Sequence, residues 1–550
     1  MLAVARCSAG RPGAMEIELK FQVPAPRRAA LQRAVAATTA RRTRLQAIYA
    51  DTADDRLAAA GLALRLRKEG RLWVQTLKGR GDGLMQRLEH ELPLPPLPRG
   101  TKQPLLDPQL HAGTPAGDRL LPLLADGAAL MPLYRTDIWR THRELRQGGA
   151  CIEIAFDEGF IEAGGHKLPV CEIEFELVSG PPQALVALAR RWVARHGLWW
   201  DVRTKSERGF RLARDLPQVP AVRAAPASLS KRADTAQAWR EMLQQALAQA
   251  LPNLAEMAGG SGTPEHLHQL RVGLRRLRTV LALCADWAPD AEAAKALQQA
   301  WREPFSRLGA ARDADVLAGA LWAELQAAGA PARPAPLAAA DFSTDSDDPV
   351  DHVEGPPEPG AIAREPGVTE LLLQSLAQTL APQAPSAVPA EAMEGAVAET
   401  DSHQVRTGRP GRPLKPSAVK VLQAAWRKLK PALRQLQHLD VEDQHRTRRH
   451  LKRLRYVFEA LLPLWDGARG GRDLRRWHRR LRNAVDALGR YNDLCVAQQH
   501  LADSPQASAD AAPAMWFALG WLAAERPRAL ARAARQLRRL ADTSRPWGKR

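Results

Sequence analysis

The stretch "MEIELKF", Met15 to Phe21, sets Glu16, Glu18 and Lys20 at alternate positions, with Ile17, Leu19 and Phe21 between them. Successive side chains of a strand point to opposite faces, so three ionisable groups share one face and three apolar groups the other. The pattern recurs. Arg65 and Arg67 alternate in "LALRLRKEG" (62–70), Thr76 and Lys78 in "LWVQTLKG" (72–79), and Arg87, Glu89 and Glu91 in "QRLEHELPL" (86–94). Further along, "IWRTHREL" (138–145) carries Arg140, "CIEIAFDEG" (151–159) carries Glu153 and Asp157, and "VCEIEFEL" (170–177) carries Glu172, Glu174 and Glu176. Short alternating runs separated by Gly and Pro, with helical stretches near 26–37 and 181–196, predict a barrel or sandwich from Met15 to about Ala213.

A single strand with a charged face is ordinarily the wetted side of an antiparallel sheet. The set reads differently, because Arg and Glu in tight R-x-R and E-x-E pairs dominate it, with few of the Ser and Thr that share a wetted face. A barrel closed with this face inward is a tunnel lined by carboxylates and guanidinium groups, its apolar outer face covered by the two helical stretches. Charges so enclosed need each other, a metal or a charged ligand. Clustered Arg and Lys suit phosphate oxygens, and clustered carboxylates suit Mg²⁺ or Mn²⁺. Together they describe a site for a metal-bound polyphosphate.

The ordered run of "EIELK", "LRLRKEG", "TLKG", "RLEHE", "TDIWR", "EIAFDEG", "CEIEFELVSG" and "KSERGF" resembles the CYTH, or triphosphate tunnel metalloenzyme, family from Met15 to about Ala213. The resemblance implies an eight-stranded antiparallel tunnel with flanking helices. Its members hydrolyse tripolyphosphate, thiamine triphosphate or nucleoside triphosphates with a divalent metal, and some cyclise ATP. It implies metal binding by Glu16, Glu18 and carboxylates among Glu172, Glu174 and Glu176, which of them being left open. Phosphate binding falls to Lys20, Arg65, Arg67, Lys78, Arg87, Arg140 and Lys205. The expected catalytic set is Glu18, Lys20, Asp157 and Lys205, with Asp157 assisting metal or water, and Glu18 or a carboxylate of the Glu172 strand taking the proton of the attacking water.

Beyond a Pro- and Ala-rich joint near 217–229, Ala, Leu, Gln and Arg recur at helical period. This part repeats internally. "HQLRVGLRRLR" starts at His268 and "HRTRRHLKRLR" at His445, and "LGAARDADVL" from Leu308 is matched at nearly the same spacing by "LGRYNDLCVA" from Leu488. On a helix His268, Arg271, Arg275 and Arg278 form one stripe beside Leu267, Leu270, Leu274, Leu277 and Leu281, and His445, Arg448, Lys452 and Arg455 take the same places in the second copy. A basic helix face is ordinarily just solvated. Its recurrence with a His at its head and few acidic partners favours an anion-binding groove. Metal binding by His268 and His445 is weakly supported, since no second ligand follows at helical spacing in the first motif. From about Lys231 to Leu540 this part resembles the CHAD family, which implies an all-α domain of two pseudo-symmetric four-helix bundles that binds inorganic polyphosphate.

The expected layout is a disordered leader (1–14), a tunnel domain (15–213), a linker (214–229), a first helical half (230–330), a mostly disordered insertion (331–415) and a second helical half (416–550). "VTELLLQSLAQTL" is a candidate helix within that insertion, and Met15 a candidate start of the working protein. The 550-residue chain has 79 Lys and Arg against 60 Asp and Glu, a net charge of +19 and a pI near 10.3, a balance that draws polyanions. Five scattered cysteines without a C-x-x-C pair argue against a disulfide frame or zinc site and fit a reducing cytoplasm. No apolar run is long enough to span a bilayer and no secretory signal opens the chain, so no membrane partner is expected. Four Tyr and nine Phe, with few of the 15 Trp inside the basic stripes, disfavour nucleic acid.

The leading expectation is a cytoplasmic metal-dependent inorganic triphosphatase, associated with polyphosphate granules, that uses Mg²⁺ or Mn²⁺. It takes tripolyphosphate or a related small triphosphate in the tunnel and long-chain polyphosphate on the helical domain. Adenylyl cyclase or nucleoside triphosphatase activity in the same tunnel, and a non-catalytic polyphosphate binder, are the alternatives.

Overall fold

A computed structural model describes residues 15–81, 83–316, 321–331, 358–381, 411–465, 471–503 and 512–547. The expected leader and most of the expected insertion lie outside the described residues. The described residues within 1–223, 247–270 and 360–385 group into one compact unit, and those within 224–246, 271–359 and 386–550 into another.

In the first unit eight strands run β1 (Met15–Gln22), β2 (Arg41–Asp51), β3 (Leu62–Glu69), β4 (Leu72–Arg80), β5 (Gln86–Pro93), β6 (Met131–Gln147), β7 (Ala150–Ala163) and β8 (His166–Ser179), followed by the two-residue β9 (Trp199–Trp200). Their order is β5-β4-β3-β2-β6-β7-β8-β1-β9, with β5 also paired to β1. β1 is the seam of the barrel. Its first half pairs with β5 (Glu16 opposite Arg87) and its second half with β8 (Glu18 opposite Glu176, Lys20 opposite Glu174) and β9 (Phe21 opposite Trp200). All pairings are antiparallel, and closure leaves the eight strands without a free edge.

β2 is the strand that alternating charge does not reveal. Its residues Leu45, Ala47 and Tyr49 sit opposite Glu69, Arg67 and Arg65, and so on the inward face, but they carry no charge pair. They belong to an apolar cluster in which Ala47, Tyr49, Tyr134, Ile138, Ile161 and Val170 pack with Phe210 and Leu212 of the Lys205–Ala213 helix. The inward face is thus divided into an ionisable part and an apolar part that this helix closes.

Outside, Phe21 meets Phe175 edge-on at 5.8 Å, and Phe175 meets Trp192 of the Pro182–His196 helix at 5.7 Å. The Arg28–Val35 helix buries Leu31 and Val35 against β6 and β7. Ala116 and Leu120 cover Leu62, Leu64 and Leu77 of β3 and β4. The candidate helix of the insertion forms over Pro366–Ala377, buries Leu372, Leu373 and Leu376, and packs on the Pro182–His196 helix. Arg190 pairs with its Glu370 at 2.6 Å.

Beyond Arg223 the described elements are helical, and their order repeats. Thr235–Ala258, Pro264–Leu283, Ala291–Ala300 with Arg302–Val316, and Trp322–Ala327 correspond in sequence to Leu414–Leu429, Val441–Leu461, Gly471–Asp503 and Ala512–Ala541. The two basic motifs lie on the second helix of each set, and Leu267, Leu270, Leu274, Leu277 and Leu281 are all buried as their period requires. In the second unit, Phe458, Trp477 and Trp547 pack with successive ring centroids 4.7 Å apart.

Candidate active site

Inside the barrel the charges sort into three groups. At the first, the ammonium of Lys205 stands 2.7 Å from Asp157 Oδ2, 2.5 Å from Glu172 Oε1 and 2.8 Å from Glu174 Oε1. One oxygen from each of these carboxylates lies within 4.8 Å of the others. β7 and β8 supply them from facing positions, with Asp157 opposite Glu172. Arg140 donates from Nε and Nη2 to Asp157, both at 2.7 Å, and also reaches Glu174. Arg208 reaches Glu172, and buried Lys20 donates to the backbone carbonyl of Arg203.

Burial opposes charge on Lys205, Glu174 and Lys20, and its balance with pairing differs among them. Lys205 is held above its ordinary range because Asp157, Glu172 and Glu174 outweigh its burial. Glu174 is held well below the carboxylate range, its burial outweighed by Lys205 and Arg140. Lys20 goes the other way, lowered by burial, with Arg208 and Lys205 adding to the shift against Glu172 and Asp201.

The second group is richer in carboxylates than in cations. Lys78 Nζ lies 3.2 Å from Glu16 and 2.9 Å from Glu89, and Arg87 Nε lies 3.4 Å from Glu18. Glu176 faces Glu18 on one side and Glu153 on the other. Burial pushes Glu176 up to about 7; Lys78 opposes this, while Glu153 and Glu89 reinforce it. Glu16 is raised well above its usual range by burial, with Lys78 opposing and Glu89 and Glu18 adding.

In the third group Glu91 Oε1 accepts from Arg67 at 3.0 Å, from Thr76 Oγ1 at 3.0 Å and from Arg65 at 3.5 Å. Arg65 also donates to Tyr49 Oη at 3.1 Å. Every cation singled out in the tunnel sequence, from Lys20 to Lys205, therefore has at least one oxygen partner in place.

Sequence reasoning did not single out Arg208, Asp201 or Arg203. Arg208 follows Lys205 by one helical turn and shares its face, which was a readable signal. Asp201 clamps Arg203 through two 2.9 Å contacts and also accepts from Gln22. That arrangement exists only because β9 lies against β1.

The three carboxylates that converge on this ammonium are hard oxygen donors of the kind a divalent cation also draws. The donor set is all oxygen, as Mg²⁺ or Mn²⁺ prefers. The residues present therefore fit such a metal, which Asp157, Glu172 and Glu174 would hold.

The basic stripes of the helical part are half-buried, apart from exposed His445. The guanidinium groups of Arg271, Arg275 and Arg278 lie 5.0, 5.5 and 4.7 Å from the Phe305 ring centroid. Arg275 approaches Tyr456 Oη at 3.5 Å. Burial, then Arg448 and Arg275, lower Lys452 to about 6. Burial, then Arg453, Arg302 and Arg275, lower Arg278 to about 10. Carboxylates do enter: Glu459 pairs with Arg276 and Arg455, and Asp493 with Arg448. His445 bonds Asn492 at 2.8 Å, while His268 is partly buried in the first unit.

Among the described residues no helix is long and apolar enough to cross a membrane. Residues 14–209 match the CYTH domain model and residues 241–502 the CHAD domain model. An inorganic triphosphatase of Haemophilus influenzae is 32% identical over 171 residues, 30% of this chain and 44% of that relative, so less than half of the relative is spanned. Among solved structures, the CHAD domain of the plant Ricinus communis is 26% identical, covering 58% of this chain and 96% of that one with a TM-score of 0.41. A putative adenylyl cyclase from Hippeastrum, described as having a dominant triphosphatase activity, is 20% identical, covering 36% of this chain and 95% of that one with a TM-score of 0.27. The two family models, with the closed eight-stranded barrel, give the chain a CYTH domain over residues 14–209 and a CHAD domain over residues 241–502.

Proposed function

We propose that the tunnel hydrolyses inorganic triphosphate, or a related small triphosphate such as thiamine triphosphate, with a divalent cation, and that the basic helical part binds long-chain polyphosphate. The observation that carries the tunnel reading is the set of paired charges within one barrel. A metal-bound triphosphate brings both signs of charge, so it can exchange partners with the tunnel's ion pairs without leaving a buried charge unpaired.

Asp157, Glu172 and Glu174 at one pole, and Glu16, Glu18 and Glu176 at the other, are the carboxylates that would hold Mg²⁺ or Mn²⁺, which supplies charge neutralisation at the phosphoryl oxygens when bound. Lys20, Arg65, Arg67, Lys78, Arg87 and Arg140 bind non-bridging oxygens, and Lys205 closes the site over them. Glu18 takes a proton from a water in line with the terminal phosphorus; the water oxygen bonds to phosphorus as the bridging P–O bond breaks, giving orthophosphate and pyrophosphate. The name of the Haemophilus influenzae relative supports this choice of substrate. Phosphate release from tripolyphosphate, thiamine triphosphate, ATP and long-chain polyphosphate, each with Mg²⁺, Mn²⁺ or chelator, tests it. Activity on the small triphosphates that vanishes with chelator is expected, and full activity of Glu18→Gln removes the assigned base.

For the helical part, His268, Arg271, Arg275, Arg278, His445, Arg448, Lys452 and Arg455 form the polyphosphate-binding stripes. Support comes from the crowding of Arg275, Arg278 and Lys452: burial and neighbouring cations hold Arg278 and Lys452 below their usual pKa, as a bound polyanion would relieve. A cytoplasmic location at polyphosphate granules follows from that reading.

A further inference from the structure

The segment that carries Lys205 and Arg208 is gripped from outside by residues remote in sequence. Arg203 is held by Asp201, and its Nη1 lies 3.9 Å from buried Glu256 and 3.4 Å from Ser261 Oγ. Arg211, on the same helix as Lys205, is bound by both oxygens of Glu256 at 2.8 and 3.0 Å. The Glu256 carboxylate also accepts from Ser261 Oγ at 2.5 Å. A Cβ added to Gly259 would stand 2.1 Å from Arg203 Nη1, so the guanidinium lies directly against this backbone. On the other side, Thr369 Oγ1 of the Pro366–Ala377 helix accepts the backbone N–H of Trp200 at 3.2 Å. Both contacts meet the chain within a few residues of Arg203, whose carbonyl accepts from Lys20.

We propose that Glu256 and Thr369, both outside the CYTH-matched residues, are positioning residues of the tunnel. They fix the Trp200–Arg211 segment so that Lys205 and Arg208 are held over Asp157, Glu172 and Glu174. The inference rests on the reading of the tunnel as a triphosphatase only for its effect on rate. The physical reason for the grip is charge: the segment's Lys205, Arg208 and Arg211 repel one another, and Glu256 neutralises the end that the tunnel carboxylates do not reach. A buried carboxylate bound to two guanidinium groups is stiff, because moving either arginine leaves an unpaired charge.

The test uses the full chain with Glu256→Gln and, separately, Thr369→Val, which keep side-chain shape and remove the charge or the acceptor. Amide exchange of residues 200–213 is expected to accelerate about tenfold in each variant, with β3 and β4 unchanged, as for local loosening. kcat/KM for tripolyphosphate is expected to fall about 10- to 100-fold in Glu256→Gln, as for a small displacement of a positioned group. In a Lys205→Ala background the same change is expected to add little. Unchanged exchange at 200–213 in both variants overturns the proposal, and so does a Glu256→Gln loss that multiplies undiminished with Lys205→Ala. If the unaltered protein releases no phosphate from any triphosphate, the function reading fails and the exchange result alone decides the positioning role.

Discussion

Replacing Lys205 by Met separates the structural from the ligand-binding consequences of the tunnel's charge pairing. In the unaltered protein one ammonium serves Asp157, Glu172 and Glu174 at 2.5–2.8 Å, and Asp157 and Glu172 are fully buried. Arg140, Arg208 and Lys20 remain in the variant, but only Arg140 and Arg208 pair directly with the three carboxylates. Removing one partner of a buried ion pair costs about 3–5 kcal/mol. At about 2–4 °C per kcal/mol for a unit of this size, that is a melting temperature lower by about 6–20 °C in chelator. The vacated point is also a site where three carboxylate oxygens converge, so Mg²⁺ at about 100 times its Kd should return about 2.7 kcal/mol. Scanning calorimetry of both proteins, with chelator and with Mg²⁺, reads the effect without any assay of activity. The expected result is a larger metal-induced rise in the variant than in the unaltered protein, where the ammonium competes. A variant as stable as the parent in chelator, or an equal metal response in both, would refute the reasoning.

Glu176 gives a pH prediction. Its folded-state pKa of about 7 lies above the ordinary carboxylate range, so its contribution to stability is complete below that range and is lost as pH rises through about 7. Chelated protein should lose stability between pH 5 and 8, Glu176→Gln should flatten that fall, and Mg²⁺ binding should strengthen over the same interval only when Glu176 is present. For the helical part, changing Arg275, Arg278, Lys452 and Arg455 together to Glu should weaken long-chain polyphosphate binding at least tenfold and reduce its salt dependence, measured by titration at two ionic strengths. Unaltered binding would place the polyanion elsewhere.

Much of the tunnel was legible in order along the chain. Strand alternation put Glu16, Glu18, Lys20, Arg65, Arg67 and Lys78 on one face whatever their partners, because the side-chain period of a strand is fixed. The helical stripes were legible for the same reason, since the period that buries Leu270, Leu274 and Leu277 also aligns Arg271, Arg275 and Arg278. β2 was not, because its inward residues Leu45, Ala47 and Tyr49 are neutral and look like any buried strand. Nor was the use of the Pro366–Ala377 helix, whose apolar side fits many surfaces equally well.

What the sequence determined by itself is therefore local: which residues share a face, and that the face carries both signs of charge. Tertiary structure decided which charges meet. The seam at β1 sets Glu18 beside Glu176 and Lys20 beside Glu174, the Lys205 helix brings one ammonium to three carboxylates, and Glu256 and Thr369 hold that segment from the far side. Those choices depend on strand register and on contacts between residues far apart in the chain, and Coulomb energy depends on the distances that only the folded chain sets.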